Sequence, residues 1–563
     1  MNILGISCFY HDAAACLMKD GRVVAAAEEE RFTRKKHDFD FPINAIEYCL
    51  REGNISIDEV DYVGFYEKPL IKFERILFSY MATFPRSFGA YLKAMPLWLG
   101  QKLWIPSLIR RELDYNGKVL FTDHHMSHAA SAFLFSPFEE AAILTTDGVG
   151  EWSTTTYGVG RGNKVEIMKE IRYPHSLGLF YSAVTAHLGF KVNNDEYKVM
   201  GLASYGKPTY YDALKKVIDI RPDGSYRLDM SYFAYHYGLT MLSDKFRQEF
   251  GEPRKPESEI SQQNMDLAAS VQLVLEEALL NAANHLYELT HADALCMAGG
   301  VALNCVANGR ILSETPFKDI WVQPAAGDDG GSVGVAAYIW NMLLDKPRVH
   351  VMNDAYLGPS FTTEEVRAFL DKEGISYEEY DIEELLPLTA QMIADSLIVG
   401  WFQGRMEFGP RALGSRSILA NPCDPDMKDI LNDRVKHRED FRPFAPVLLR
   451  EKVGEYLKPD YPMPFMVILS EVREEKRAEI PSVTHVDGTA RPQTVTKEHN
   501  GIYYDLIVEF EKITGTPVLI NTSFNVRGEP IVCTPENAYR CFAGTGIDVL
   551  VMDRFVIRKN GIA

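Results

Sequence analysis

Several things that would narrow the reading of this 563-residue chain at once are scarce or missing. Its eight cysteines (Cys8, Cys16, Cys49, Cys296, Cys305, Cys423, Cys533 and Cys541) form no CxxC pair and no dense spacing. That excludes a zinc ribbon or a disulfide scaffold and fits a reducing compartment. There is no long hydrophobic run. The most apolar later stretch, Ile76 to Pro85, is ten residues long, well short of a bilayer span. The opening MNILGISCFYHDAAACL has no basic start and meets Asp12 early, so it makes a poor signal peptide, and a cytoplasmic location is expected. Positive charge is in deficit, with 59 Lys and Arg against 78 Asp and Glu and a formal charge of −19. This speaks against nucleic-acid and membrane partners. No Walker A loop occurs, which excludes a P-loop enzyme. What is left, with 46% apolar and 24% charged residues, is a cored globular chain long enough for two to four domains.

Short apolar runs alternate with helical patterns over the first 350 residues, which predicts an α/β architecture. Asn2–Phe9 and Arg22–Ala27 read as strands turned at Lys19-Asp20-Gly21. About 140 residues on, Ala141–Thr146, a polar glycine turn, Ser153–Val159 and Lys164–Met168 repeat that layout, which predicts an internal duplication. Ala292–Ala298 is a further buried strand, closed by Gly299-Gly300 and followed by a helical Val301–Leu312. Ile71–Arg110, rich in aromatic and aliphatic residues, reads as a helical wall or a substrate-facing surface, and Arg221–Glu259 as an insertion or lid. Composition shifts after Met352, so a first domain of residues 1–352 and a second of 353–563 are expected, the latter with strands at Ile398–Gln403, Met466–Leu469, Val518–Asn521 and Val549–Met552.

Three constellations could carry chemistry. In Asp123-His124-His125-Met126-Ser127-His128, His124 and His128 share a helix face and can converge on one ion, with Asp147 and Asp328 as further ligands. Such donors suit a divalent transition ion; His125 is the uncertain neighbour. The alternative is a helix start capped by Asp123 with solvated histidines. Glycine turns at Asp147-Gly148-Val149-Gly150, Ala298-Gly299-Gly300 and Gly327-Asp328-Asp329-Gly330-Gly331 each follow a strand and favour a nucleotide-phosphate site. Gly404–Ser417 holds Arg405, Arg411 and Arg416, Lys436–Pro446 adds Lys436, Arg438 and Arg442, and Arg491 and Asn521–Asn525 supply more donors. In so acidic a chain, that concentration points to a polyanion pocket.

With these motifs the chain resembles the O-carbamoyltransferases of the nodulation and antibiotic-tailoring type. The likeness runs through GISCFYHDAAACL, EEERFTRKKH, DHHMSHAASAF, TTDGVGEW, EYKVMGLASYG, MAGGVALN, QPAAGDDGG, EFGPRALGSRSIL, KHREDFRPFAP and NTSFNVRGEP. The resemblance implies a duplicated actin-like, sugar-kinase-type N-terminal domain and a C-terminal α/β domain related to enzymes that make threonylcarbamoyl adenylate. It implies that the second domain turns carbamoyl phosphate and ATP into carbamoyl adenylate, with Mg(II) accompanying ATP, through Arg411, Lys436, Arg438, Arg442, Arg491, Asn521 and Ser523. Transfer to a hydroxyl of a sugar or secondary metabolite would follow in the first domain, with His11 as base or orienter. A metal, Fe(II) in relatives, would hold the adenylate phosphate through His124, His128, Asp147 and Asp328. Glu196, Lys198, Gly299, Gly300 and Asn304 are the expected nucleotide contacts. The acceptor stays open, as does the oligomeric state, a homodimer included. A kinase or ATPase using only the first domain is the rival reading; a metallopeptidase lacks the HExxH glutamate, since no acid lies between His124 and His128.

Overall fold

The computed structural model describes residues 1–100 and 102–559. It divides into two compact units, Met1–Glu29 with His37–Met352, and Glu30–Lys36 with Asn353–Ala563. The short Glu30–Lys36 segment thus departs from a contiguous division of the chain. Arg31 donates to the Gly409 carbonyl at 2.8 Å, and Arg34 donates to the carbonyls of Ile531 and Pro530 at 2.6 and 2.7 Å.

The first unit holds two five-stranded sheets. β1 (Asn2–Ser7), β2 (Ala14–Lys19), β3 (Arg22–Glu28), β4 (Tyr62–Phe65) and β5 (Lys118–Phe121) lie in the order β3-β2-β1-β4-β5. β6 (Glu140–Thr146), β7 (Ser153–Arg161), β8 (Lys164–Arg172), β9 (Ala294–Ala298) and β10 (Asp319–Val322) lie in the order β10-β9-β6-β7-β8. In each sheet three antiparallel strands come first, and two later strands then add in parallel to the opening strand. One topology drawn twice is an internal duplication, and the first unit is an actin-like α/β fold. β1 and β6 are buried in continuous runs, without alternation, as strands covered on both faces are, which suits each opening strand to the centre of its sheet.

Between β4 and β5 run three helices, α1 (Pro69–Ala82), α2 (Phe88–Gly100) and α3 (Ile105–Leu113). After β5 comes α4 (His124–Phe133), and after β9 a 3₁₀ turn and α5 (Cys305–Glu314). The helix expected from Val301 breaks at Asn304, whose side chain accepts the Ala307 amide at 3.1 Å and restarts it. The Arg221–Glu259 stretch carries a short strand Tyr226–Leu228 and a helix Asp244–Phe250. A wholly buried helix of small residues, α6 (Gly330–Ala337), packs on both β1 and α4. Glycine makes that possible: a Cβ on Gly334 would lie 1.9 Å from the Ser127 carbonyl oxygen, and one on Gly5 equally close to that of Ser332. Close packing of α6 on α4 draws Asp328, just ahead of α6, toward the histidines.

The second unit is built on one mixed sheet of eight strands. These are β11 (Glu378–Glu379), β12 (Val399–Phe402), β13 (Arg416–Ala420), β14 (Ala445–Leu449), β15 (Gln493–Val495), β16 (Val518–Ser523), β17 (Val549–Met552) and β18 (Phe555–Arg558), in the order β11-β18-β17-β12-β13-β16-β14-β15. α7 (Ile382–Ala394) and α8 (Lys497–Thr514) pack over its apolar face around Trp401, Leu506 and Phe510. Met466–Leu469 is not a strand. Met466 takes φ +56, which breaks an extended run, and Met466, Val467 and Ile468 are buried without entering the ladder.

Candidate functional site

In the first unit, Asp123 occupies the residue before α4 but pairs with Lys68 at 2.8 Å instead of capping the helix. Glu151 does that work, holding the His124 amide with both carboxylate oxygens at 3.0 and 3.2 Å. The helix start therefore turns His124 and His128 inward, and both are 0% exposed, which ends the solvated alternative. Their Nε2 atoms lie 3.1 Å apart. Asp147 Oδ2 is 3.1 Å from His124, and Asp328 Oδ1 lies 3.6 and 3.7 Å from the two rings. Asp147 is itself fixed by the Gly300 amide, which donates to Oδ1 at 2.9 Å. Gly299 is required here twice over, by φ +94 and by a Cβ position 2.3 Å from the Thr146 carbonyl.

Burial opposes charge on His124, but Asp328 and then Asp147 outweigh it and lift the ring to about 9. Asp147, despite burial, is held well below the usual carboxylate range by its hydrogen bond to His124. His125 is different. Burial, and then His124 and His128, keep it well below its ordinary value, and its Nδ1 faces Thr145 Oγ1 at 2.7 Å, outside the cluster. One donor atom from each of His124, His128, Asp147 and Asp328 lies within 4.8 Å of the others, and the second oxygen of Asp328 is buried without a hydrogen-bond partner. Two imidazoles and two carboxylates around a buried point fit a divalent transition ion. Equilibrium dialysis with Fe(II) or Co(II) is expected to give one tight site per chain. His128→Ala should weaken it by at least roughly 10–100-fold, the range that even outer-shell partners command.

A second node forms around His11, in the loop after β1. Its backbone is strained, with Phe9 at φ +73 and Asp12 at +28. His11 Nδ1 meets Asp12 Oδ2 at 2.6 Å, while Nε2 meets the backbone carbonyl of Asn193. The other Asp12 oxygen takes His37 Nδ1 at 2.8 Å, and His37 Nε2 lies 2.5 Å from Asn194 Oδ1. A carbonyl only accepts, so Nε2 must donate; an ionised Asp12 requires the same of Nδ1. Burial opposes the resulting charge, but Asp12, then the Asn193 carbonyl and Asp328, push His11 up to about 10. Asp12, despite its burial, is held far below its ordinary range by His11 and then His37. His11 stands as a cation with no lone pair to take a proton.

Of the expected nucleotide contacts, Glu196 accepts from Ser182 Oγ at 2.7 Å and from the Asn193 amide at 2.8 Å, so it shapes the turn that faces His11. Lys198 is buried and pairs with Asp195 at 3.2 Å. Asn304 exchanges two amide hydrogen bonds with Gln272, each at 3.0 Å. Gly300 sits against Asp147, and Gly299 against the Thr146 backbone beside it.

In the second unit, a π-helical turn, Asn432–Lys436, ends where His437 takes φ +45. The Lys436 ammonium is buried and donates to the Ser523 carbonyl, to the Asn525 carbonyl at 3.1 Å and to Asn525 Oδ1 at 3.0 Å. Burial first, then Arg438 and, more weakly, Arg442 and Lys36, hold it well below the ordinary lysine value. Arg438 lies over the Phe444 ring at 4.5 Å and donates to Asn432 Oδ1 at 2.8 Å. Glu439 answers Arg442 at 3.4 Å and Arg527 at 3.7 Å. Ser523 Oγ donates to Asn525 Oδ1 at 2.7 Å. Asn521 donates to Gln493 at 2.8 Å, and Gln493 donates to the Leu413 carbonyl at 2.7 Å, so both brace the Arg411 loop. Arg411 is half-buried on that loop and Arg491 half-buried on the chain entering β15.

The two halves of the sequence match the models of the carbamoyltransferase N-terminus, over residues 2–337, and the carbamoyltransferase C-terminus, over residues 390–559. The chain belongs to the carbamoyltransferase family. It is a carbamoyltransferase, similar over 99% of its length and 97% of the relative's to an uncharacterized protein of Synechocystis sp., at 51% identity. It is 38% identical to nodulation protein NolNO of Sinorhizobium fredii, over 98% of this chain and 79% of that one. Nodulation protein U of the same species is 28% identical over 99% of each chain. Among solved structures, full-length HypF in its phosphate- and nucleotide-bound form gives a slight likeness, with a TM-score of 0.32 and 15% identity over 61% of this chain and 46% of that one.

Four residues that the sequence reading passed over stand beside the expected ones: Asp12, His37 and Glu151 in the first unit, and Glu407 in the second. Adjacency in His11-Asp12, and a histidine closing EEERFTRKKH, were the available signals for the first two. Glu407 had its signal as the acid that opens EFGPRALGSRSIL. It is 1% exposed, and one oxygen accepts the amides of Leu413, Ser415 and Arg416 at 2.8, 2.9 and 3.1 Å. Glu407→Ala is expected to cost about 3–5 kcal/mol in unfolding by urea, since it strands three buried N–H groups. Glu407→Gln, which keeps an acceptor oxygen, should cost less than half of that.

Proposed function

We propose that this carbamoyltransferase works as a relay, activating the carbamoyl group in its second unit and transferring it to a hydroxyl in its first. Phosphate leaves carbamoyl phosphate with water, giving carbamate. A carbamate oxygen then attacks the α-phosphorus of ATP, with Mg(II) accompanying the nucleotide, and pyrophosphate departs. The acceptor oxygen next attacks the carbamoyl carbon of the adenylate, its proton is lost, and AMP leaves. The acceptor class is a sugar or secondary-metabolite alcohol.

The observation that carries this reading is Lys436, a buried amine whose charged form burial, Arg438, Arg442 and Lys36 disfavour and a phosphate-bearing substrate would stabilise. Arg411 and Arg491 extend the cationic surface, Ser523 presents its hydroxyl beside Lys436, and Asn521 holds the Arg411 loop in place. In the first unit, His11 offers positive charge where an oxyanion develops on the carbamoyl carbonyl, while His124, His128, Asp147 and Asp328 would hold the metal. Once bound, a divalent ion such as Fe(II) would supply Lewis-acid charge toward an adenylate phosphate. The glycine turn at Gly299-Gly300 lets nucleotide come close to Asp147, with Asn304, Glu196 and Lys198 supporting its walls.

The decisive experiment is ATP–pyrophosphate exchange with the whole chain. Exchange should appear only when carbamoyl phosphate is present, and acceptors should then yield products carrying the added elements of HNCO. A kinase or ATPase would turn over ATP to ADP without carbamoyl phosphate, and that result would falsify the relay.

A further inference from the structure

Ten of the twenty exposed large apolar side chains among the described residues fall between Leu70 and Trp104. Leu70, Met81 and Phe84 are 71, 66 and 68% exposed, and Phe88, Leu92 and Trp104 more than half. Two features show that this is not ordinary surface. First, α1 is inverted. Its Lys72 is buried in an ion pair with Glu67 and its Arg75 is buried against the Tyr173 ring, while Leu70, Phe78 and Met81 face outward. Second, α2 is apolar on all sides, with Lys93 its one charge, yet only Ala90, Met95 and Trp98 of it are buried. Helices of that composition are normally covered.

Charge identifies the cover. Four cations of residues 69–113 are exposed against two exposed acids, Glu74 and Glu112, the latter pairing with Arg111 at 2.7 Å, so the surface here carries a surplus of two positive charges in a chain of −19. Arg86, Lys93, Arg110 and Arg111 are exposed around the apolar face. An open groove of ≈310 Å³ between Trp104, Leu108 and Arg111 sets apolar walls beside a guanidinium. A second copy docked by a two-fold would press this basic rim against its own image. An anionic bilayer offers both partners at once, acyl chains to the aromatic and aliphatic face and phosphates to the rim.

We propose that α1–α3 form a membrane-surface element that seats the enzyme on anionic lipid, lying in the interface without spanning it. No helix among the described residues is long and apolar enough to cross a membrane. The acidic balance of the whole chain, which argued against a membrane partner, conceals this local reversal.

The test is co-sedimentation of the full chain with vesicles of phosphatidylcholine alone and of phosphatidylcholine with an equal part of phosphatidylglycerol. Binding should appear on the anionic vesicles, fall with added salt, and drop at least tenfold in Leu92→Ser/Leu97→Ser. It should fall equally in Arg86→Glu/Lys93→Glu, which leaves the apolar face intact. Both variants should melt with the wild type and retain its pyrophosphate exchange. No binding to anionic vesicles overturns the proposal, as does binding that neither variant weakens. So does a concentration-dependent dimer that Leu92→Ser/Leu97→Ser abolishes while vesicles are ignored, which would make a second copy the partner.

Discussion

Lys436→Met is expected to lower carbamoyl-phosphate-dependent ATP–pyrophosphate exchange by about 10²–10³-fold, the scale of losing one preorganised charge at a phosphoryl-transfer site. Methionine keeps the length and apolar stem while removing the ammonium. Burial and Arg438 disfavour the charged form, but the Ser523 and Asn525 acceptors lose their donor, so a stability loss of about 1–3 kcal/mol is expected and exchange is compared at a temperature where both proteins are folded. The sign of the proton exchange follows. An arriving phosphate favours the ammonium and raises its pKa from a depressed value, so binding takes up protons wherever pH lies between the two. Titration calorimetry of ATP binding in two buffers of different ionisation enthalpy should report that uptake in the wild type and lose it in Lys436→Met. Exchange within tenfold of wild type, or uptake unchanged by the substitution, would remove Lys436 from the activation chemistry.

The doubling of the first unit was legible because a strand, a glycine turn and a return strand leave a pattern of period two twice along the chain. The HxxxH pair was legible for a similar reason, since helical spacing fixes which side chains share a face. What the sequence could not show is which donor meets which acceptor across tens or hundreds of residues. Arg405, Arg411 and Arg416 look equivalent in Gly404–Ser417. Yet Arg416 is wholly buried and donates to the carbonyls of Gln403, Gly404 and Pro359, and Arg405 donates to that of Leu357 at 2.8 Å. Two of the three arginines hold the loop in shape. Glu151 taking over the cap that Asp123 declines is the same kind of fact, settled by tertiary approach and not by local propensity. The inverted α1 was hidden for another reason: its apolar residues do follow a helical period, but the pattern cannot say which face meets the protein.

His11 offers the sharpest division between roles. A general base of ordinary histidine pKa would give a transfer rate that rises through pH 6–7 and levels off. The geometry here predicts the opposite slope. With Asp12 on one nitrogen and the Asn193 carbonyl on the other, the ring is charged until pH approaches about 10. Transfer from pre-formed carbamoyl adenylate should therefore be flat across neutral pH and decline as pH passes through that value. Asp12→Asn removes the largest force favouring the charge, while burial continues to oppose it, so the falling limb should move down to near or below the ordinary 6.5. His11→Asn should lose transfer by roughly 10²–10³-fold at all pH values and leave pyrophosphate exchange intact. His37→Asn, which removes one of the two imidazoles on Asp12, should leave the carboxylate more fully committed to His11 and keep the limb near its wild-type position. A rising limb near neutrality in the wild type, or an Asp12→Asn profile that does not shift, would return His11 to the part of a base.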